Sequence, residues 1–120
     1  MKLVILESPF QGGIAENVEY LRLAILDCIK RGESPYASHR MLPGALNDLA
    51  PDEREIGITA GFAWHNVAEY MVVYMDRGIT PGMVRGIEHA QEIGLDVRHR
   101  YLVSVDTAIA ALRAAPTGKA

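Results

Sequence analysis

Residues 3–13 read LVILESPFQGG, and the change of character at Glu7 decides what kind of fold the chain builds. Leu3 to Leu6 is an unbroken apolar run, the composition of a strand buried on both faces rather than one with a solvated side. At Glu7 the run breaks into a carboxylate, the Ser8 hydroxyl, Pro9, Phe10, Gln11 and the Gly12-Gly13 pair. Beyond the glycines, Ile14, Val18, Leu21, Ile25, Cys28 and Ile29 recur at steps of three and four. That spacing predicts a helix over residues 14–31, stopped by Gly32. A buried strand that feeds directly into a helix is the first half of a strand–helix–strand unit.

The same unit repeats downstream. Residues 34–38 (SPYAS) form a short extended segment, because Pro35 turns the residue before it away from helix. A loop with Pro43-Gly44 leads to Pro51-Asp52-Glu53-Arg54-Glu55, an acidic first turn that suits the positive end of a helix dipole. That helix is expected to run to residue 67. EYMVVYM at 69–75 is short, apolar and rich in valine and tyrosine, which predicts a second buried strand type. Thr80 then serves as an N-cap with Pro81 in the first helical position, and the helix runs to Gly94. Residues 95–103 alternate like an edge strand, 104–115 are expected to form a last helix, and 116–120 a flexible tail. Four strands alternating with four helices predict one α/β domain over 1–115, a small doubly wound parallel sheet with helices on both faces.

Composition narrows the function classes. At 120 residues with 49% apolar and 22% charged side chains, the chain has the make-up of a soluble globular domain. A net charge of −3 offers no polyanion-seeking surface, so no nucleic-acid partner is expected. Cys28 is the lone cysteine, which excludes an intrachain disulfide, and no His, Cys or carboxylate spacing suggests a metal site. Met1-Lys2 leads straight into the first strand, so neither a signal peptide nor a membrane partner is expected, and the location expected is cytoplasmic.

Doubly wound sheets bind ligands beyond the carboxyl ends of their strands, where strand order reverses beside strand one. After the first strand stand Glu7, Ser8, Pro9, Phe10, Gly12 and Gly13, with glycines that let a ligand approach the backbone. Neither a G-x-G-x-x-G nor a Walker pattern is present, and a plain strand-to-helix turn is the competing explanation. After the second come Ser38 and His39; a loop histidine is as readily a hydrogen-bonded residue as a catalyst. After the third come Asp76, Gly78, Thr80, Gly82 and Met83, which suit a ribose and an anion, or simply cap the turn. Gly57, Ala60 and Gly61, with Trp64 beside them, permit close approach of another helix, read as a subunit interface or as tight packing on the chain's own sheet. His65 is expected to be structural or part of that interface.

Together "ESPFQGG…N…Y…R", "ASH", "LND…P.ER..GI.AG" and "D.GIT.GM..GIEHA" resemble the nucleoside 2-deoxyribosyltransferase-like proteins, above all small phage and bacterial relatives of the domain-of-unknown-function type. The resemblance spans residues 2–94. It implies a flavodoxin-like fold, homo-oligomers, and cleavage or exchange of a nucleoside N-glycosidic bond through a glutamate nucleophile. It adds Asn17 and Asp48 to the ligand-binding set, gives Phe10 a base to stack on, and gives Asp76 sugar hydroxyls to bind. The pattern S-x-G-x-x-x-E-x-x-x-A falls on Thr80, Gly82, Gly86 and Ala90, so glycine stands at the nucleophile position. Glu88 lies two residues on, turned ~200° around the helix.

The resulting expectation is a non-catalytic binder of a nucleotide-derived ligand that needs no cofactor. It would be a phage-type sponge for a cyclic nucleotide or ADP-ribose signal, acting in the host cytoplasm. Two alternatives stand beside it. One is an N-glycosidase or transferase using Glu7 or Glu88; the other is a protein-interaction module that keeps only the fold.

Overall fold

A computed structural model describes residues 1–10, 12–102 and 113–114. In order, the chain forms β1 (Lys2–Glu7), α1 (Ile14–Lys30), β2 (Glu33–Tyr36), α2 (Ser38–Met41), α3 (Pro51–Ala63), β3 (Tyr70–Tyr74), α4 (Pro81–Glu92) and β4 (Val97–Arg100). Short 3-10 turns at Leu42–Gly44 and Trp64–Asn66 follow α2 and α3. All neighbouring strands are parallel, in the order β2-β1-β3-β4. The expected α/β sheet is therefore present, and strand order reverses between β1 and β3.

Alternation along the strands sorts side chains between two helical layers. Val4 and Leu6 of β1 join Tyr70, Val72 and Tyr74 of β3 under α1, whose Tyr20, Leu21, Ala24 and Cys28 complete that core. Ile5, Met71 and Val73 point the other way and pack on Met83 and Ala90 of α4. The Val4↔Tyr70 to Glu7↔Val73 register continues this alternation to the carboxyl end of β1, so Glu7 faces the α4 layer.

Glu33, at the start of β2, is buried and takes both guanidinium nitrogens of Arg100 on β4, at 2.8 and 3.0 Å. The Tyr70 hydroxyl donates to the same carboxylate. Burial alone would raise the Glu33 pKa; the Arg100 and Tyr70 hydrogen bonds outweigh it and hold the carboxyl below its usual range.

The structure departs from the sequence reading at residues 39–50, at the end of the third helix and in the bounds of β2 and β4. Residues 39–50 carry α2 and a 3-10 turn, closed by Ala45 and Leu46 amides donating to the Leu42 carbonyl at 3.0 and 2.9 Å. The third helix ends at Ala63 and tightens into the Trp64–Asn66 turn instead of running to residue 67. β2 is Glu33–Tyr36 and β4 only Val97–Arg100, each paired through four positions to its neighbour. The helix expected over 104–115 and the tail over 116–120 lie, except for Arg113 and Ala114, outside the described residues. No helix among the described residues is long and apolar enough to cross a membrane.

Candidate functional site at the carboxyl ends of β1 and β3

A cavity of about 310 Å³ opens between the end of β1, the α2 segment, the inner face of α3 and the start of α4. Its size falls at the lower end of the ~300–1,000 Å³ typical of small-molecule sites. Of the residues expected at a ligand, Glu7, Ser8, Phe10, His39, Asp48, Thr80, Gly82 and Met83 line it.

Glu7 forms its floor. The residue is only 9% exposed, and burial pushes its carboxyl up to about 8, so it carries its proton at neutral pH. Among the described residues no hydrogen-bond donor or cation reaches it. Across from it, α4 presents Met83, Gly86 and Ala90, its buried stripe, toward the sheet. A side chain on Gly86 would overlap Glu7 Oε2 and stand 3.0 Å from Cδ. The glutamate head thus fills the space that Gly86 leaves empty.

The wall beside β1 is a second polar pair. Buried Ser8 Oγ lies 2.8 Å from His39 Nε2 on α2. Burial lowers the His39 pKa to about 4, leaving a neutral imidazole near pH 7. The opposite edge is the start of α4. There the Met83 amide donates to Thr80 Oγ1 at 3.3 Å, with Pro81 in the first turn, so Thr80 is a cap as well as a lining residue.

The far wall was not visible in the sequence. Leu42 and Leu46 from the α2 segment meet Arg54, Ile58 and Phe62, which recur every four residues along α3. That spacing was a usable signal, obscured by the small residues between. Arg54 is paired to Asp48 at 3.4 Å and Arg85 to Glu55 at 3.0 Å, both partly exposed at the rim. Behind Phe62, the ring of His65 is buried, with its Nδ1 2.8 Å from Nδ1 of His89, and Phe62 stacks on His89 at 4.2 Å. Burial, then the neighbouring His89, lowers the His65 pKa to about 4.

Other expected site residues serve the scaffold. Asn17 donates to the carbonyls of Phe10 and Gly12 at 3.1 and 3.0 Å, and accepts from Arg77. It thereby closes the turn in which Gly13 adopts φ 77° as the helix cap. Asp76 accepts from the Tyr20 hydroxyl at 2.5 Å and from the Leu102 amide at 3.1 Å. Pro9, Gly12, Gly13, Asn17, Asp76 and Gly78 stand outside the cavity lining. Gly12, Gly13, Asn17 and Asp76 are tied to α1 by these bonds, whereas the cavity opens on the α3–α4 side. Glu88 is exposed on α4 and also lies outside the lining, as its angle from Gly86 requires. Gly61, read as a contact between subunits, packs instead on the chain's own Ser38, and Gly57 on Leu46. Ala60 on α3 and Trp64 in the turn that follows it are exposed, Trp64 with its ring 4.6 Å from that of Tyr36. Among the described residues no cluster of three or more His, Cys, Asp or Glu is placed to hold a metal ion.

Against known proteins, the fold is similar to that of the 2-deoxyribosyltransferase from the psychrotolerant bacterium Bacillus psychrosaccharolyticus, with a TM-score of 0.66 at 13% identity. The match covers 98% of this chain and 75% of that one. No curated protein matches the sequence. The chain belongs to the family described as a domain of unknown function, DUF7768, which matches residues 2–100.

Proposed function

We propose that this protein binds a nucleoside-derived small molecule in the cavity at the ends of β1 and β3 and holds it without turnover. One observation carries the reading: a largely buried carboxyl, Glu7, opens on a small-molecule-sized cavity at the switch point and has no hydrogen-bond partner among the described residues. Buried polar groups are normally satisfied, so one left open toward a cavity points to a ligand that satisfies it. Phe10 offers a ring for a base, and Arg54 and Arg85 lie at the rim for phosphate. The fold likeness to a nucleoside-processing enzyme favours this ligand class over others. The specific ligand proposed is a cyclic nucleotide or ADP-ribose-type signal, sequestered in the manner of a phage anti-defence sponge.

The test is mass spectrometry of small molecules released on denaturing protein purified from cells, with thermal shift against nucleosides, mononucleotides, cyclic dinucleotides and ADP-ribose isomers. An intact nucleotide-type ligand and a stabilising shift are expected. No released ligand and no shift from any member of the panel sinks the proposal. Homo-oligomerisation through the outer face of α3 and the turn that follows it, where Ile56, Ala60, Trp64 and Val67 are exposed, is proposed with it. Sedimentation of the wild type against Trp64→Glu tests that part.

A second reading, N-glycoside cleavage, is favoured by one specific feature. The Glu7 carboxyl occupies the space beside Gly86, the position at which the resembled pattern carries its nucleophile. In its acid form Glu7 is suited to protonate a leaving group. Chromatography for released base would separate the readings: turnover by wild type that is lost in Glu7→Gln and kept in Glu88→Ala favours catalysis.

A further inference from the structure

The contact between Glu7 and Gly86 says more about the ligand than the cavity alone. Gly86 lies inside α4, where glycine costs about 1 kcal/mol relative to alanine, and its backbone keeps an ordinary negative φ. Neither a turn nor a left-handed conformation requires glycine there. What a methyl group at that position would strike is the end of one side chain, the Glu7 carboxyl. Gly57 and Gly82 show the contrast, since a Cβ there would meet its nearest neighbours at 3.3 and 3.9 Å.

The charged and titratable groups around the cavity have protein partners away from its floor, and the two arginines among them are half exposed at the rim. Arg54 pairs with Asp48, and Arg85 reaches back to Glu55. His39 is committed to Ser8, His65 to His89, and Glu53 to the Asn47 amide. The floor of the cavity is therefore a carboxyl with no counter-charge among the described residues, and the positive groups stand at the rim.

We infer that Gly86 is the positioning residue of this site: its missing side chain seats the Glu7 carboxyl on the cavity floor, where it meets an uncharged hydrogen-bonding group of the ligand, a hydroxyl or a ring nitrogen. Any phosphate then points outward to Arg54 and Arg85. This rests on the nucleoside-derivative reading, and the test has one arm that does not depend on it. An alanine at 86 displaces the carboxyl rather than the backbone, because the group it strikes is the end of a flexible side chain, and it raises helix propensity. Aspartate at 7, one methylene shorter, makes room for the new methyl.

In the ligand-free arm, the Glu7 carboxyl is followed by carbon-13 NMR titration in wild type, Gly86→Ala and the Glu7→Asp/Gly86→Ala double variant. Burial places the wild-type midpoint at about 8. In Gly86→Ala it falls toward the ordinary carboxyl range, and in the double variant it rises again. In the ligand arm, calorimetry with adenosine, AMP and ADP-ribose reads an affinity about tenfold weaker in Gly86→Ala, the loss of roughly one hydrogen bond. The double variant recovers it. An unchanged midpoint in Gly86→Ala overturns the seating. Equal loss of affinity in the single and double variants overturns the role in recognition. If the midpoint moves as stated but wild type binds none of the three probes and no cyclic mono- or dinucleotide, the seating stands and the nucleoside-derivative reading falls.

Discussion

Glu7 is the residue at which strand alternation, burial and chemistry meet. Its pKa rises from 4.5 to about 8 because burial disfavours the charged form. Between those values the folded chain keeps a proton that the unfolded chain has released, so stability falls as pH rises through this window and levels off above it. Glu7→Gln mimics the neutral acid and removes that liability. At about pH 9 it should be more stable than wild type by roughly 2–4 kcal/mol, with the gap closing toward about pH 5; calorimetric melting across that range checks both sign and trend. His39 works in the opposite direction. Its pKa falls from 6.5 to about 4, so its contribution is fully present above 6.5 and is lost as pH drops toward 4. Ser8→Ala leaves the half-buried His39 imidazole without its partner at 2.8 Å. The expected loss is about 1–3 kcal/mol at neutral pH in urea unfolding, and a change within about 0.5 kcal/mol would show the bond to be incidental. These pairings join residues far apart in sequence, so no local pattern in LVILESPFQGG announces them.

At the scale of elements, the cavity's far half is built by α3, which the sequence predicts as a helix, and by the α2 segment, which it reads as a loop. Gly61 is small because Ser38, at the start of α2, lies against it: a Cβ there would stand 2.7 Å from Oγ and 3.0 Å from Cβ of Ser38. In an open helix, Gly61→Ala would stabilise by about 1 kcal/mol. Here the clash should cancel or reverse that gain, while Gly61→Ala combined with Ser38→Gly restores it; paired thermal melts give the comparison. A subunit interface at Gly61 would instead predict an altered oligomeric state. The small-residue spacing was legible in the sequence, but its neighbour was not, because a glycine states only that something comes close. By contrast, β1, α1, β3 and α4 were legible from periodicity and capping, since each buries a regular stripe.

Across the whole molecule, one buried polar network spans the sheet beneath α1. Arg100 on β4 reaches Glu33 on β2, passing the hydroxyl of Tyr74 at 3.3 Å, and the Tyr74 hydroxyl donates to Asp27 of α1 at 2.7 Å. Side-chain exposures of 13% and 3% mark the Arg100–Glu33 pair as buried, against 60% and 57% for Arg22–Glu19 on α1. Arg100→Met strands a buried charge and should cost about 3–5 kcal/mol, whereas Arg22→Ala should cost under about 1 kcal/mol. Denaturant unfolding of both variants decides whether the pair ties the outer strands together. Equal effects would show that the network adds nothing beyond a surface pair.

By itself the sequence determined the alternation of strands and helices, the parallel sheet, and the sheet edge at which folds of this class bind ligands. These follow from periodicity, from caps and from the rule that connects buried strands through helices. It also placed glycine where the resembled pattern carries a carboxylate. Only the tertiary structure decided that Glu7 brings a carboxyl into that same space from β1, and that the cavity opens toward α3 rather than toward Gly12, Asn17 and Asp76. The physical reason is that local patterns specify which face of an element is buried, whereas the partner on that face is chosen by packing between segments distant in the chain.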